Sequence, residues 1–421
     1  MLLKETLREV ARQQRKEAES CDAGIEREGL EDCLPTPKFA LVLSGIRRCG
    51  KSTLLCQLGK RTPTSYFFNY EDPRVSGFEA TDFQKLDEVF SEEFGRSDCY
   101  FFDEIQNVPK WELFVRKLVD QNKKVVITGS NASLLSRELG TRLTGRHLER
   151  EVYPFSFTEY LRFFKKKPSS AEFEEYMRLG GFPEYLKSNR TEALTNLLGD
   201  IIARDILARH RLRDSVVLRE LATYLLSNVG KETTFNRIKK IFELGSTNTA
   251  ISLAKHLEDA YVVAFVQKFD YSLKKRRANP RKVYAMDNGL ARANSISFSK
   301  DEGRLLENAV FVELKRRNCE VYYFREKQEC DFLVRRNEKI TSAIQVCALV
   351  SEDNKEREIA GIVEAMSAFG LKRGLVITLN QEDELSFGNK KITLIPAWKW
   401  MANPKVIRTR NKTNPSGKAL L

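Results

Sequence analysis

Short apolar runs, each bounded by turn-forming or charged residues and separated by helix-length segments, dominate the first third of the chain. Phe39-Ala40-Leu41-Val42-Leu43, Tyr66-Phe67-Phe68-Asn69-Tyr70, Cys99-Tyr100-Phe101-Phe102 and Lys124-Val125-Val126-Ile127-Thr128 read as strands buried on both faces. Their alternation with helical segments predicts a parallel α/β sheet over residues 39–152. Ahead of it, residues 1–38 read as a charged helical segment that Pro35 and Pro37 terminate. Past Tyr153-Pro154-Phe155 the strand pattern gives way to helical periodicity. That pattern predicts a helical lid over 153–215, broken at Gly180-Gly181-Phe182-Pro183.

A different order begins at residue 216. Helices are expected over 218–227, 235–242 and 247–259, with a turn at Leu244-Gly245-Ser246, and strands over 261–269 and 282–286. Helix, helix, turn, helix and hairpin predict a winged helix-turn-helix over 216–292. Residues 293–400 return to mixed α/β. Helices are expected over 304–317 and 355–369, and strands over 321–325, 329–334, 342–346 and 373–378. Residues 401–421, with Arg408, Arg410 and Lys412 and broken by prolines, read as a basic tail.

At 421 residues more than one domain is expected. Hydrophobic residues at 42% and charged residues at 31% describe a globular chain, and no apolar run approaches the ~18 residues that span a bilayer. The start Met1-Leu2-Leu3-Lys4-Glu5 lacks the apolar core of an export signal. The eight cysteines are scattered without a C-x-x-C pair, so reduced thiols in a cytoplasm are expected. A formal charge of +13 favours a polyanionic partner, because cationic side chains that meet phosphates release condensed counterions.

Chemistry enters at Gly45-Ile46-Arg47-Arg48-Cys49-Gly50-Lys51-Ser52, which follows the first strand and matches G-x-x-x-x-G-K-[ST]. The loop's backbone N–H groups are expected to cradle phosphate, with Thr53 continuing into helix. Lys51 would reach the outer phosphates and Ser52 would hold Mg²⁺. The expected cofactors are ATP and Mg²⁺, although a loop that reads phosphates does not separate ATP from GTP. Phe101-Phe102-Asp103-Glu104 supplies a metal-supporting carboxylate, Asp103, and one to polarise water, Glu104. Thr128-Gly129-Ser130-Asn131 places small polar groups at the next strand end, to sense phosphate or to cap a helix. Arg142 and Arg146 are candidates to act on a γ-phosphate across a subunit boundary, which requires a homo-oligomer, or else are solvated surface arginines.

In the third helix of the winged unit, Ile251, Ala254 and Leu257 are expected to face the core, leaving Asn248, Ser252, Lys255 and His256 outward. Lys274-Lys275-Arg276-Arg277, with Arg281 and Lys282 on the return strand, sits where a wing would meet DNA phosphates. Winged helices also serve as protein-interaction modules.

The P-loop, Tyr66 to Arg74, Phe102-Asp103-Glu104-Ile105-Gln106, Thr128-Gly129-Ser130-Asn131, Leu143-Thr144-Gly145-Arg146 and Gly180-Gly181-Phe182-Pro183-Glu184 together resemble the prokaryotic ATPases of the AAA-14 type that carry a DUF4143 C-terminal region. The resemblance covers most of the chain. It implies an AAA-like P-loop core, a winged helix, and a restriction-endonuclease-like α/β domain related to the PD-(D/E)xK nucleases. At the positions that match that nuclease site stand Glu307, Asp331, Gln345 and Cys347. One carboxylate has become an amide and the lysine a thiol, so a degenerate site is expected. Arg325, Arg335 and Arg336 lie nearby as candidate contacts.

The expected function is Mg²⁺-dependent ATP hydrolysis coupled to DNA remodelling, without a membrane partner. One alternative is a signalling switch in which ATP orders the lid and the C-terminal domain captures a protein. Another, disfavoured by Gln345 and Cys347, is an ATP-gated nuclease.

Overall fold

The computed structural model describes residues 1–62, 64–131, 143, 145–210, 215–296 and 302–403. Five parallel strands form the first sheet: β1 Ala40–Ser44, β2 Tyr66–Asn69, β3 Cys99–Asp103, β4 Lys124–Gly129 and β5 His147–Glu151. Their spatial order is β2-β3-β4-β1-β5. The chain leaves β1 toward the far edge and later returns to place β5 on β1's other side. A crevice therefore opens above the carboxyl end of β1, the place where such sheets bind ligands. β5 is the strand that the apolar pattern does not announce, because His147-Leu148-Glu149-Arg150-Glu151 is an edge strand with four of its five residues exposed.

The N-terminal helix Lys4–Ser20 packs on the β2 edge through Leu7, Val10 and Ala11. The Gln14 amide donates to the Asn69 carbonyl (3.1 Å) and accepts the Asn69 N–H (2.8 Å), which satisfies part of that strand's open edge. The end of this helix lies against helix Lys51–Lys60, where Cys21 and Cys56 are joined as a disulfide. This corrects the expectation of reduced thiols throughout, since a separation of 35 residues leaves no trace of the pairing in the sequence.

Helices Phe157–Phe164, Ser170–Leu179, Pro183–Ser188 and Glu192–Asp200 follow, and the last runs into a π-helical stretch, Ile201–Leu207. A capping box at Ser156 and Glu159 starts the first of them. The Gly180-Gly181 pair has a packing reason. Gly180 sits at φ +76°, and a Cβ there would stand 2.3 Å from Asp287 Oδ1. Gly181 donates its N–H to the buried Asp287 carboxylate at 2.7 Å, which ties the lid to the following unit.

That unit runs helix Ser215–Ser227, β6 Glu232–Thr233, helix Phe235–Ile241, helix Thr247–Asp259, β7 Val263–Gln267 and β8 Arg281–Ala285. The strands form a sheet in the order β6-β8-β7. The basic excursion between β7 and β8 contains a short helix, Leu273–Ala278, where an open hairpin tip was expected. In helix Thr247–Asp259 the inward residues are Ala250, Ala254 and Leu257. Ile251 is exposed, a correction of one step in the helical phase.

The last sheet has the order β13-β14-β12-β11-β10-β9, with β9 Glu320–Arg325, β10 Glu329–Arg336, β11 Lys339–Val346, β12 Arg373–Thr378, β13 Asp383–Phe387 and β14 Lys390–Pro396. Helix Glu302–Arg316 covers one face and Glu352–Ala368 the other. Helix Ala397–Ala402 takes the first residues assigned to the basic tail, and 404–421 lie outside the described residues. One apolar core runs without interruption from the P-loop face of the first sheet through the lid and the three-stranded unit to helix Glu302–Arg316. Among the described residues no helix is long and apolar enough to cross a membrane.

Candidate functional site

β1 ends in the loop 45–50 and helix Lys51–Lys60 starts directly after it. Gly45 has φ +154°, and a Cβ there would meet the Val152 carbonyl oxygen at 2.1 Å, so only glycine lets the loop turn beneath β5's exit. Lys51 is 4% exposed, and its ammonium donates to the carbonyls of Gly45 (3.0 Å) and Ile46 (3.2 Å), with Glu104 Oε1 at 3.9 Å. The charge is thus held inside the loop by groups that an incoming phosphate can replace.

Asp103 ends β3 and is buried. The Thr128 hydroxyl from neighbouring β4 donates to it, and the Glu104 N–H donates to the same hydroxyl at 2.9 Å. Burial and the adjacent Glu104 carboxylate push the Asp103 pKa up to about 6, while hydrogen bonds from Thr128 and Ser52 and the Lys51 charge pull it down. Two hard carboxylates next to a P-loop serine, with too little positive charge around them, suit a divalent cation. Gly50, Lys51, Ser52, Thr53, Asp103 and Glu104 line a cleft of ≈ 580 Å³ that lid residues Pro183, Glu184, Asp200 and Arg204 close on the other side. The residues present therefore fit a magnesium nucleotide.

The remaining P-loop residues face other partners. Ile46 and Cys49 are buried in the core. Arg48 pairs with Glu184 (2.9 Å) and Asp200 (3.4 Å), both in the lid. Arg47 pairs with Glu71 and reaches Asp205 at 3.5 Å. Asp205 lies in the π-helical stretch, is 2% exposed, and accepts a hydrogen bond from the Ser130 hydroxyl at 3.1 Å. In sequence, Glu71 and Glu184 stand only as members of motifs, without these partners, and neither Asp200 nor Asp205 is singled out. The trace of Asp205 was a carboxylate at an inward position among Ile201, Ile202 and Ile206, where ionised groups are rare unless partnered.

Asn131 is buried beside Ser130 at the end of β4. Arg142 lies outside the described residues. Arg146 stands at the opposite end of β1 from the P-loop: its carbonyl accepts the Ala40 N–H and its guanidinium pairs with Asp120. Within one chain it is remote from the cleft, because it precedes β5 where β5 runs parallel to β1.

On helix Thr247–Asp259, Asn248, Ser252 and Lys255 are exposed, while the His256 ring lies tilted against that of His210 with centroids 3.8 Å apart. In the segment between β7 and β8, Lys274, Lys275 and Arg277 are exposed, but Arg276 lies over the Tyr322 ring and donates to its hydroxyl at 3.3 Å. Arg281 stands over Phe235. Lys282, expected as a phosphate contact, is 2% exposed and reaches Glu329 (2.6 Å), Asp331 (2.8 Å) and Glu307 (3.0 Å). β8 is a central strand, so alternate residues point into the neighbouring unit and not to solvent.

Lys282 thereby fills the carboxylate cluster around Glu307 and Asp331. Gln345 accepts the Asp331 N–H (3.2 Å) and donates to Glu358 (2.8 Å), while the Cys347 thiol donates to the Leu349 carbonyl (3.1 Å) and accepts from the Asn354 amide (3.7 Å). Cys330 points to the opposite face of the sheet, into the core under helix Glu352–Ala368. Arg325 pairs with Glu232 and Arg335 with Glu320.

Residues 37–161 match the model of a family described as an AAA domain. Residues 170–301 match a domain of unknown function, DUF8612, where the resemblance had implied DUF4143. Among curated proteins, the uncharacterized protein MJ1544 of Methanocaldococcus jannaschii is 33% identical over 398 residues, covering 86% of this chain and 88% of its own length. An uncharacterized protein of Haemophilus influenzae is 31% identical over 342 residues, covering 76% and 85%. Among solved structures, the STAND protein PH0952 from Pyrococcus horikoshii aligns with TM-score 0.28 at 13% identity, over 70% of this chain and 46% of that one. AMPPCP-bound DnaA from Aquifex aeolicus aligns with TM-score 0.26 at 14% identity, over 59% and 88%. Both structural scores are too low to bear on function. The two sequence relatives align over 86% and 76% of this chain, and the chain, whose residues 37–161 match an AAA domain, belongs to the family that contains MJ1544.

Proposed function

We propose that this protein binds and hydrolyses ATP with Mg²⁺ at the cleft between the P-loop and the lid. The observation that carries this reading is the convergence of Lys51, Ser52, Asp103 and Glu104 on one cleft. A magnesium ion held by Ser52 and Asp103 would supply charge neutralisation at the phosphates and the leaving group. Lys51 exchanges its loop carbonyls for phosphate oxygens, Ser52 and Asp103 hold the cation, and Glu104 takes a proton from the attacking water. Asn131 is assigned to orienting that water. Arg146 contributes only if a second copy delivers it.

DNA is the partner we assign to the three-stranded unit, read as a winged helix. The support is the exposed set Asn248, Ser252, Lys255, Lys274, Lys275 and Arg277, together with the net charge of +13. Arg276 and Lys282 leave that set, being engaged with the C-terminal unit. A second reading, a nucleotide-gated switch that captures a protein, draws support from the ion pairs joining Arg47 and Arg48 to the lid. The ATP-gated nuclease loses support. We read the C-terminal unit as a nuclease-like fold without a cleavage site, since an ammonium occupies its carboxylate cluster.

Steady-state hydrolysis of Mg·ATP, alone and with duplex, single-stranded or forked DNA at two salt concentrations, tests these readings. Salt-sensitive stimulation by one DNA form supports DNA-coupled work. Slow turnover that no DNA changes favours the protein-partnered switch, and no turnover at all rejects the ATPase.

A further inference from the structure

The P-loop and the end of β4 share one acceptor that belongs to neither. Asp205 Oδ1 accepts from the Ser130 hydroxyl (3.1 Å) and lies 3.5 Å from Arg47 and 3.8 Å from Arg209. Two of these partners come from the nucleotide core and one from the lid itself. The carboxylate sits in Ile201–Leu207, a π-helical stretch of seven residues. Such a widened turn is rare overall, is frequent at functional sites, and shifts the angular position of each following side chain. Here it brings Asp205 inward while Arg204 stays out at the cleft, 3.7 Å from Glu71.

A buried carboxylate needs partners, and burial raises the Asp205 pKa against the pull of Arg209 and Arg47. Arg47 is only 14% exposed, yet it lines the nucleotide cleft. A phosphate in that cleft is a competing anion for the same guanidinium. Ser130 follows Thr128 by two residues, and Thr128 is bonded to Asp103. The contacts therefore run from Asp103 through β4 to Asp205, and from the P-loop through Arg47 to Asp205.

We infer that Asp205 is a positioning residue: it holds Ser130 and Arg47 beside the cleft, and a phosphate there competes with it for Arg47, which links occupancy of the cleft to the lid helices 183–210. This inference rests on the nucleotide reading of the cleft and adds the residue through which the lid responds. The exchange needs no covalent step. One anion, the carboxylate, is replaced at Arg47 by another, the phosphate, and Arg209 keeps the carboxylate paired.

The test uses the full chain with Mg·ATP and three variants: Asp205→Asn, Ser130→Ala and the double substitution. Binding is read by calorimetry, turnover by phosphate release, and the lid by amide exchange over 183–210 with and without nucleotide. Asp205→Asn is expected to keep Kd within about threefold of wild type, to lower kcat about tenfold, and to lose the nucleotide-dependent change in lid exchange. Ser130→Ala, which removes one hydroxyl and so preserves packing, is expected to act in the same direction, and the double variant to add little beyond either single one. A purely structural role predicts instead that Kd and kcat worsen together and that the two effects multiply. Wild-type kcat and lid response in Asp205→Asn would overturn the inference, and if that variant fails to fold, an unaffected Ser130→Ala would do so. Wild-type protein that neither binds nor hydrolyses Mg·ATP would reject the nucleotide site itself, which is a distinguishable outcome.

Discussion

Asp103 illustrates how a single buried carboxyl reports on the site. Its folded-state pKa, about 6, lies above the ordinary aspartate value because of burial and Glu104. Between about pH 4 and 6 the folded protein without metal thus holds a proton at Asp103 that the unfolded chain releases, so the contribution of this one group to stability falls as pH rises through the window. A divalent cation reverses the sign, because it requires the ionised form. We expect stabilisation by Mg·ATP, read as a shift in melting temperature, to be small near pH 5 and to grow through about pH 6.5, and Asp103→Asn to remove that pH dependence. A shift of equal size across this range would contradict the assignment of Asp103 as the metal's support. The residues of this site were legible because a P-loop and a strand-end acidic pair are local patterns. Asp205 was not, since its partners Ser130 and Arg47 are distant in sequence and meet it only through the fold.

β8 shows what an element does that no single residue announces. In sequence, Arg281 and Lys282 extend a basic cluster and read as solvent-facing. In the folded chain β8 lies between β6 and β7, and Lys282 enters a cage of Glu307, Glu329 and Asp331. Burial pushes the Glu307 carboxyl up while the Lys282 charge pulls it down, so the cluster depends on that ammonium. Lys282→Met keeps the stem and removes the charge, leaving buried acids unpaired. It is expected to destabilise the protein by about 3 kcal/mol, measured by denaturant unfolding. A loss near zero would show that the cage is not closed in solution. The basic segment between β7 and β8 is fixed likewise: the Phe269 N–H donates to the Tyr323 carbonyl at 2.8 Å, and its ring sits 5.4 Å from Tyr322 and 5.0 Å from Phe369. Reversing the exposed charges Lys274, Lys275 and Arg277 to Glu should weaken DNA binding at least about tenfold near 0.1 M salt and flatten its salt dependence. Gel-shift titration at several salt concentrations reads both, and unchanged affinity would move the DNA contact elsewhere. The buried strands of the first sheet were legible because they are continuous apolar runs. β5 and the wing helix were not, since one is a polar edge strand and the other a short basic segment held by tertiary contacts.

Across the whole molecule, one core joins the P-loop face of the first sheet to the lid, the three-stranded unit and helix Glu302–Arg316. Asp287 bonded to Gly181, and Tyr261 donating to Ser44 at 2.8 Å near the start of the P-loop, are polar ties along the same path. Changes in the cleft therefore have a packed route to the surface assigned to DNA. The expected boundaries at 292/293 and 400/401 fall inside helices Asn288–Ala293 and Ala397–Ala402, and the apolar pattern along a sequence cannot say that successive units share a core. The central claim is that this machinery runs on a nucleotide bound at the P-loop. The most direct test is Mg·ATP binding and turnover by folded wild-type protein beside Lys51→Ala, with circular dichroism and melting temperature as folding controls. Turnover is expected in the wild type, with a loss of about 100-fold or more in kcat/KM in the variant and an unchanged fold. Equal turnover in the two proteins, or none in either, would contradict the central claim.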